Sequence, residues 1–180
     1  MTISPVKALA FSTILLIASV TRDARAQTIS LLDYRATAPA SWTSVTPTSS
    51  SRLAQFVVAP VDSANRTDVV VYFFGQGQGG NVDANLTRWR SQFSTPDGSR
   101  VYEQVTRDSA GAFPITIAEY RGTYRRGVGA GSADSARAGQ ALLAAIVETP
   151  RGMLFVQLFG PATRVARERP AFVQFVKTIK

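Results

Sequence analysis

Two apolar runs joined by a tight turn constrain this chain most. Residues 140–148 (QALLAAIVE) and 153–159 (MLFVQLF) flank Pro150-Arg151-Gly152. By propensity the first run is ambiguous, because Ala and Leu favour helix. The turn leads at once into a second β-rich run, so we read the pair as a hairpin with one buried face. A hairpin of this length needs further strands beside it and a layer over it.

The rest of the chain supplies both. Residues 53–59 (LAQFVVA) read as a strand, and 60–66 as a polar turn. Residues 68–74 (DVVVYFF) form a continuous β-branched and aromatic run, the mark of a central strand. A glycine loop follows, Gly75-Gln76-Gly77-Gln78-Gly79-Gly80. Asn81 is a good N-cap and Asp83 suits a first turn. Val82, Leu86, Trp89 and Phe93 recur at helical spacing, which predicts a helix over 82–93. Pro96-Asp97-Gly98 stops it. Residues 100–107 and 113–120 read as strands joined by a turn at Ser109-Ala110-Gly111. Residues 127–139 have the composition of a flexible loop. Gly160-Pro161 is expected to break the last strand. Val165, Phe172, Val176 and Ile179 mark a helical face, with Pro170 predicted to open a fresh helix after a short turn. Strands in runs with two helices predict an α+β domain, its mainly antiparallel sheet of about six strands covered by helices.

Residues 1–26 read as a secretory signal peptide. Lys7 precedes the uncharged stretch 8–20 (ALAFSTILLIASV), and Ala24-Arg25-Ala26 fits a cleavage site before Gln27. Thirteen helical residues span about 20 Å, short of a bilayer's hydrocarbon core. We therefore expect an exported protein, periplasmic or extracellular, with no transmembrane segment in its mature form. The organisation is then a signal peptide (1–26), an N-terminal segment (27–51) in which Tyr34 and Trp42 pack on the domain, and a single α+β domain (52–180).

Composition narrows the chemistry. The 180 residues include 20 Lys+Arg, 12 Asp+Glu, and no His or Cys. Thiol nucleophiles, disulfides, cysteine metal sites and histidine bases are excluded. Beyond Lys7, only Lys177 and Lys180 are lysines, so the positive charge is chiefly arginine, which suits planar carboxylate or phosphate partners. We expect no cofactor and no metal.

Three segments carry a resemblance: 70–93 (VVYFFGQGQGGNVDANLTRWRSQF), 145–165 (AIVETPRGMLFVQLFGPATRV) and 171–179 (AFVQFVKTI). Together they resemble an uncharacterised family of small exported bacterial proteins. More remotely, the layout is similar to the PsbP-like fold, an antiparallel sheet covered by helices on both faces. That superfamily includes extrinsic subunits of photosystem II and a small nuclear protein that binds the GTPase Ran. The resemblance implies a docking domain without catalysis. One departure stands out: relatives carry Lys-Leu-Thr where this chain has Gln157-Leu158-Phe159. Many also carry a lipid-anchor cysteine, absent here.

Two sets of candidate binding residues emerge. The first is the glycine loop with its helix: Gly77, Gly79, Gly80, Asn81, Asn85 and Arg88. Backbone N–H groups there suit an anion, with Asn85 placed to brace the loop. The loop matches neither a dinucleotide fingerprint nor a P-loop. The same segment also reads as a plain reversal with a solvated helix face. The second set is the YRGTYRR patch, Arg121, Tyr124, Arg125 and Arg126, suited to an acidic partner surface or simply to a solvated loop tip. Nucleic acid is not expected. Trp89 reads as core. Asp83, Glu103, Glu119 and Glu148 are the carboxylates in ordered elements, and no spacing pairs them across a cleft. The sequence therefore predicts an exported binding or accessory module of the bacterial cell envelope, its partner an envelope protein or acidic ligand, with no catalytic residues. A small carboxylate-dependent hydrolase or lyase near the 75–80 loop is the alternative. Carriage of an apolar ligand between sheet and helix is a third, weaker option.

Overall fold

The computed structural model describes residues 26–58, 66–125 and 136–180. The expected signal peptide up to Arg25, the turn at 59–65, Arg126 and most of the expected 127–139 loop lie outside them.

The 140–148 run is strand. β9 (Arg137–Thr149) and β10 (Gly152–Pro161) pair antiparallel from Thr149↔Gly152 to Gln140↔Pro161. Gly152 leaves the turn at φ +119°, where a side chain would be strained. Ala and Leu take the strand state because seven consecutive residues, Ala141 to Val147, are buried between two layers. β9 starts inside the expected loop, so residues 137–139 are strand. Gly160-Pro161 does not break β10. Pro161 ends the strand beside β9 alone, where its missing N–H costs no central ladder bond.

β4 (Arg52–Val58) and β5 (Asp68–Tyr72) extend the sheet on one side, with β3 (Trp42–Val45) at its edge. β8 (Phe113–Tyr124) extends it on the other. β7 (Tyr102–Ala110) pairs along β8 as far as Arg121, and β6 (Phe93–Ser94) pairs with its last turn of chain. The order is β3-β4-β5-β10-β9-β8-β6, with β7 also on β8, antiparallel throughout. Eight strands replace the expected six, because the 27–51 segment supplies β3 and the turn after the first helix supplies β6. The same segment forms a separate hairpin, β1 (Gln27–Leu31) with β2 (Tyr34–Ala38). The turn after β7 is shifted too: residues 109 and 110 are still paired, and Gly111 turns the chain.

Alternation divides the sheet residues between two faces. One face carries Phe56, Val69, Val71, Ile115, Ile117, Leu143, Ala145, Leu154, Val156 and Leu158, buried under α2 (Ala162–Lys177) and the β1–β2 hairpin. Trp42 lies 5.3 Å from Phe175 and donates its indole N–H to Glu168. Pro170 does not start a new helix; it lies inside α2. Its ring costs the helix about 3 kcal/mol. Burial of Val165, Phe172, Phe175 and Val176 on both sides of it returns roughly 1.5–3 kcal/mol per side chain. Pro170 and Ala166 are both exposed, so water reaches the unpaired carbonyl.

The other face packs under α1 (Val82–Arg90), with Trp89, Tyr120, Leu142, Ile146 and Phe155 buried there. α1 ends three residues early. Phe93 leaves the helix for β6 yet stays in this cluster, 5.4 Å from Tyr124. A nine-residue helix is about 13 Å long. The sheet beneath it is about 29 Å wide. α1 therefore covers only part of its face.

Candidate functional site

The uncovered part of the α1 face is a groove of about 510 Å³. Its floor is one cross-strand row: Gln55 of β4 opposite Val70 of β5, and Val70 opposite Gln157 of β10. Arg52 and Tyr72 line one end, with the Arg52 guanidinium 5.6 Å from the Tyr72 ring centre. Asp68, Phe159 and Tyr124 line the other, the last two rings 4.5 Å apart. Arg88, Trp89 and Gln92 form the wall on the α1 side, and Arg137 enters from the start of β9.

The groove's charge is set by what holds its arginines. Arg52 Nη1 donates to Gln55 Oε1 at 2.8 Å, and Gln55 is 6% exposed. Arg88 donates to Oδ1 of Asn85, which is 2% exposed. Asn85 is itself fixed, its Nδ2 donating to the carbonyls of Gly79 and Asn81 at 2.8 Å each. Neutral amides orient both guanidinium groups without cancelling their charge. Among the described residues neither these two nor Arg137 forms an ion pair. Among the described residues Asp68 is the one carboxylate lining the groove, and Arg66 engages it at 2.9 Å. That contact holds the Arg66 guanidinium above its ordinary pKa.

The glycine loop is scaffold to this wall. Gly79 at φ +90° sits against the Phe155 ring, where a Cβ would come within 2.8 Å. The Asn81 side chain accepts from the Ala84 N–H at 2.8 Å and caps α1. Gly80 lies over Asn85, and Gly77 faces open space. None of these four lines the groove. Of the first candidate set, Arg88 alone reaches it.

The second set is divided between the two faces of β8. Arg121 lies on the α2 face, its Nε 2.6 Å from Oε1 of Glu119 and its guanidinium 4.3 Å from the Tyr102 ring centre. Glu119 is 1% exposed and also meets Arg169 Nε at 3.3 Å. The hydrogen bond to Glu119 raises the Arg121 pKa against the cost of burial. Tyr124, in step with Tyr120 along β8, falls on the opposite face, in the groove; the register shift between Gly122 and Tyr124 puts the extra residue in β9 and brings Arg137 opposite Tyr124. Arg125 is exposed, its N–H bonded to the Gln92 carbonyl. Neither Glu103 nor Glu119 lines the groove. Among the described residues no cluster of acids could hold a metal, and no helix is long and apolar enough to cross a membrane.

Sequence reasoning passed over Arg52, Gln55 and Arg137, and marked Gln157 only as a departure from the resembling family. A signal for two of them existed: Gln55 and Gln157 interrupt otherwise apolar strand runs. Nothing in the sequence showed that the two strands would set those amides in one row.

No protein-family model matches the chain. No curated protein matches it either. Among solved structures, the solution structure of cyanobacterial PsbP (CyanoP) from a Synechocystis species is similar over 90% of this chain and 95% of that one, with a TM-score of 0.54 and 12% identity. A crystal structure from Pseudomonas aeruginosa, of a protein of unknown function described as a candidate regulator, aligns over 85% and 94%, with a TM-score of 0.47 and 12% identity. The fold is PsbP-like: an α+β antiparallel sheet with helices packed on both faces.

Proposed function

We propose that this chain is an exported, non-catalytic binding module of the bacterial cell envelope, and that the groove beside α1 is its ligand-contacting face. The observation that carries the reading is the half-covered sheet face, concave and lined by three arginines that have no carboxylate partner among the described residues. Concave sites with a few convergent polar groups are where folds of this size bind ligands. The lining also favours this reading over its alternatives. A hydrolase of the expected kind needs two carboxylates across a cleft, whereas among the described residues Asp68 alone lines the groove, held by Arg66. An apolar carrier needs an aliphatic lining, whereas arginine and glutamine dominate here. Export rests on the segment 1–26.

The test uses protein purified from cells expressing the full chain. Retention of components from the source organism's envelope is compared between native protein and Gln157→Trp, which fills the groove floor. A component held by the native protein and lost by the folded variant supports the reading. Equal retention by both overturns it. Intact mass of the purified protein checks export: the expected N-terminus is Gln27, and an uncleaved Met1 contradicts it.

A further inference from the structure

We infer that the groove takes a small acidic saccharide: a hydroxyl-rich sugar body bearing a carboxylate or phosphate. The inference rests on the groove being the ligand-contacting face.

The anionic group follows from how the arginines are held. Away from the groove arginines meet acids: Arg121 and Arg169 on Glu119, Arg151 on Asp33. At the groove, two arginines are oriented by buried amides instead. An amide oxygen positions a guanidinium as a carboxylate does, but leaves its full charge for a ligand. Arg137 adds a third cation from β9. Planar guanidinium groups favour carboxylate and phosphate, whose paired oxygens they meet with two donors.

The sugar body follows from the rest of the lining. Gln157 and Gln92 each present an amide, donor and acceptor together, and Gln55, its oxygen engaged by Arg52, adds its N–H donors. Ring hydroxyls, which also donate and accept, match such groups. A purely aliphatic acid would strip water from these amides and leave them unpaired. Tyr72 and Phe159 offer apolar edges for the C–H faces of a sugar ring. The volume is that of a small-molecule site, not of a flat polymer-binding surface.

Titration calorimetry on the native protein tests this with four probes: a uronic-acid disaccharide, a hexose phosphate, a neutral disaccharide and inorganic phosphate. Saturable binding of either acidic saccharide, with the neutral disaccharide and inorganic phosphate at least about tenfold weaker, supports the inference. Whichever acidic probe binds tighter identifies the anionic group. Gln55→Glu is the decisive variant. It replaces an orienting amide by an isosteric carboxylate, which neutralises Arg52. The expected result is a loss of affinity of about tenfold or more with the thermal midpoint retained. Equal binding of the neutral disaccharide, phosphate binding as tight as the saccharides, unchanged affinity in Gln55→Glu, or no binding of either acidic probe at millimolar concentration overturns the inference. If Gln157→Trp still abolishes retention of an envelope component while neither acidic probe binds, the ligand class fails and the binding module stands.

Discussion

Asn85 shows how one buried amide couples a loop to a surface charge. Its donors close the glycine loop and its acceptor aims Arg88 into the groove. Glu119 is the contrasting case, a carboxylate buried on the other face under two arginines. Removing both arginines by Arg121→Ala and Arg169→Ala leaves that charge uncompensated. Chemical denaturation is expected to show a loss of about 3 kcal/mol, with most of it recovered by adding Glu119→Gln. A loss that Glu119→Gln does not relieve contradicts a charge origin. Tyr120 carries a pH signature. Burial first, then the charge of Glu103, holds its hydroxyl above the ordinary tyrosine value, and it donates to the Leu86 carbonyl at 3.1 Å. The unfolded chain releases this proton near pH 10, whereas the folded chain keeps it. Tyr120 therefore costs no stability below about pH 10, and stability falls as pH rises toward the folded-state value. Tyr120→Phe is expected to be less stable by about 1 kcal/mol at pH 8, with the gap shrinking above pH 10. A gap that stays constant with pH rejects this assignment. Among site residues, Arg88 was legible from its helical spacing, and Tyr124 only as a member of the YRGTYRR patch. Arg52 and Arg137 were not, because their strands meet the groove only through pairing with distant parts of the chain.

The helices follow opposite logics. α1 is short, capped and locally specified: Asn81 satisfies an end N–H, and Asp83 sits in the positive first turn. Asn81→Ala should cost about 1 kcal/mol in urea unfolding. A larger loss, with reduced ligand affinity, would mean the cap also holds the groove wall. α2 is specified by what it covers. Its apolar face runs through Pro170 without a break, and four buried side chains keep one helix where local rules called for two. Pro170→Ala should therefore stabilise the protein by about 1–3 kcal/mol and raise its thermal midpoint. A drop instead would show that the backbone geometry Pro170 imposes on α2 is needed for packing. β9 is the strand counterpart, an Ala- and Leu-rich run held extended because both its faces are buried.

At the scale of the molecule, one thick and one thin layer sandwich the sheet. α2 and the N-terminal hairpin close one face, joined where Arg35 and Lys180 exchange backbone hydrogen bonds and Ile179 is fully buried. Ile179→Ala should cost about 2–4 kcal/mol and loosen the hairpin, read as faster amide exchange across β1 and β2. The thin layer leaves the groove open. Hydrophobic periodicity, turn residues and capping determined most strands, both helices, the β9–β10 hairpin and the α+β class, since these depend on neighbours within about a dozen residues. The N-terminal strands escaped that reading because their Ser-, Thr- and Pro-rich sequence forms no periodic pattern. Tertiary structure alone decided the strand order, the continuity of α2 through Pro170 and the division of the YRGTYRR segment between two faces. It also decided the groove, because a concave surface arises from the mismatch between a nine-residue helix and the width of the sheet beneath it. That mismatch belongs to no single segment of the chain.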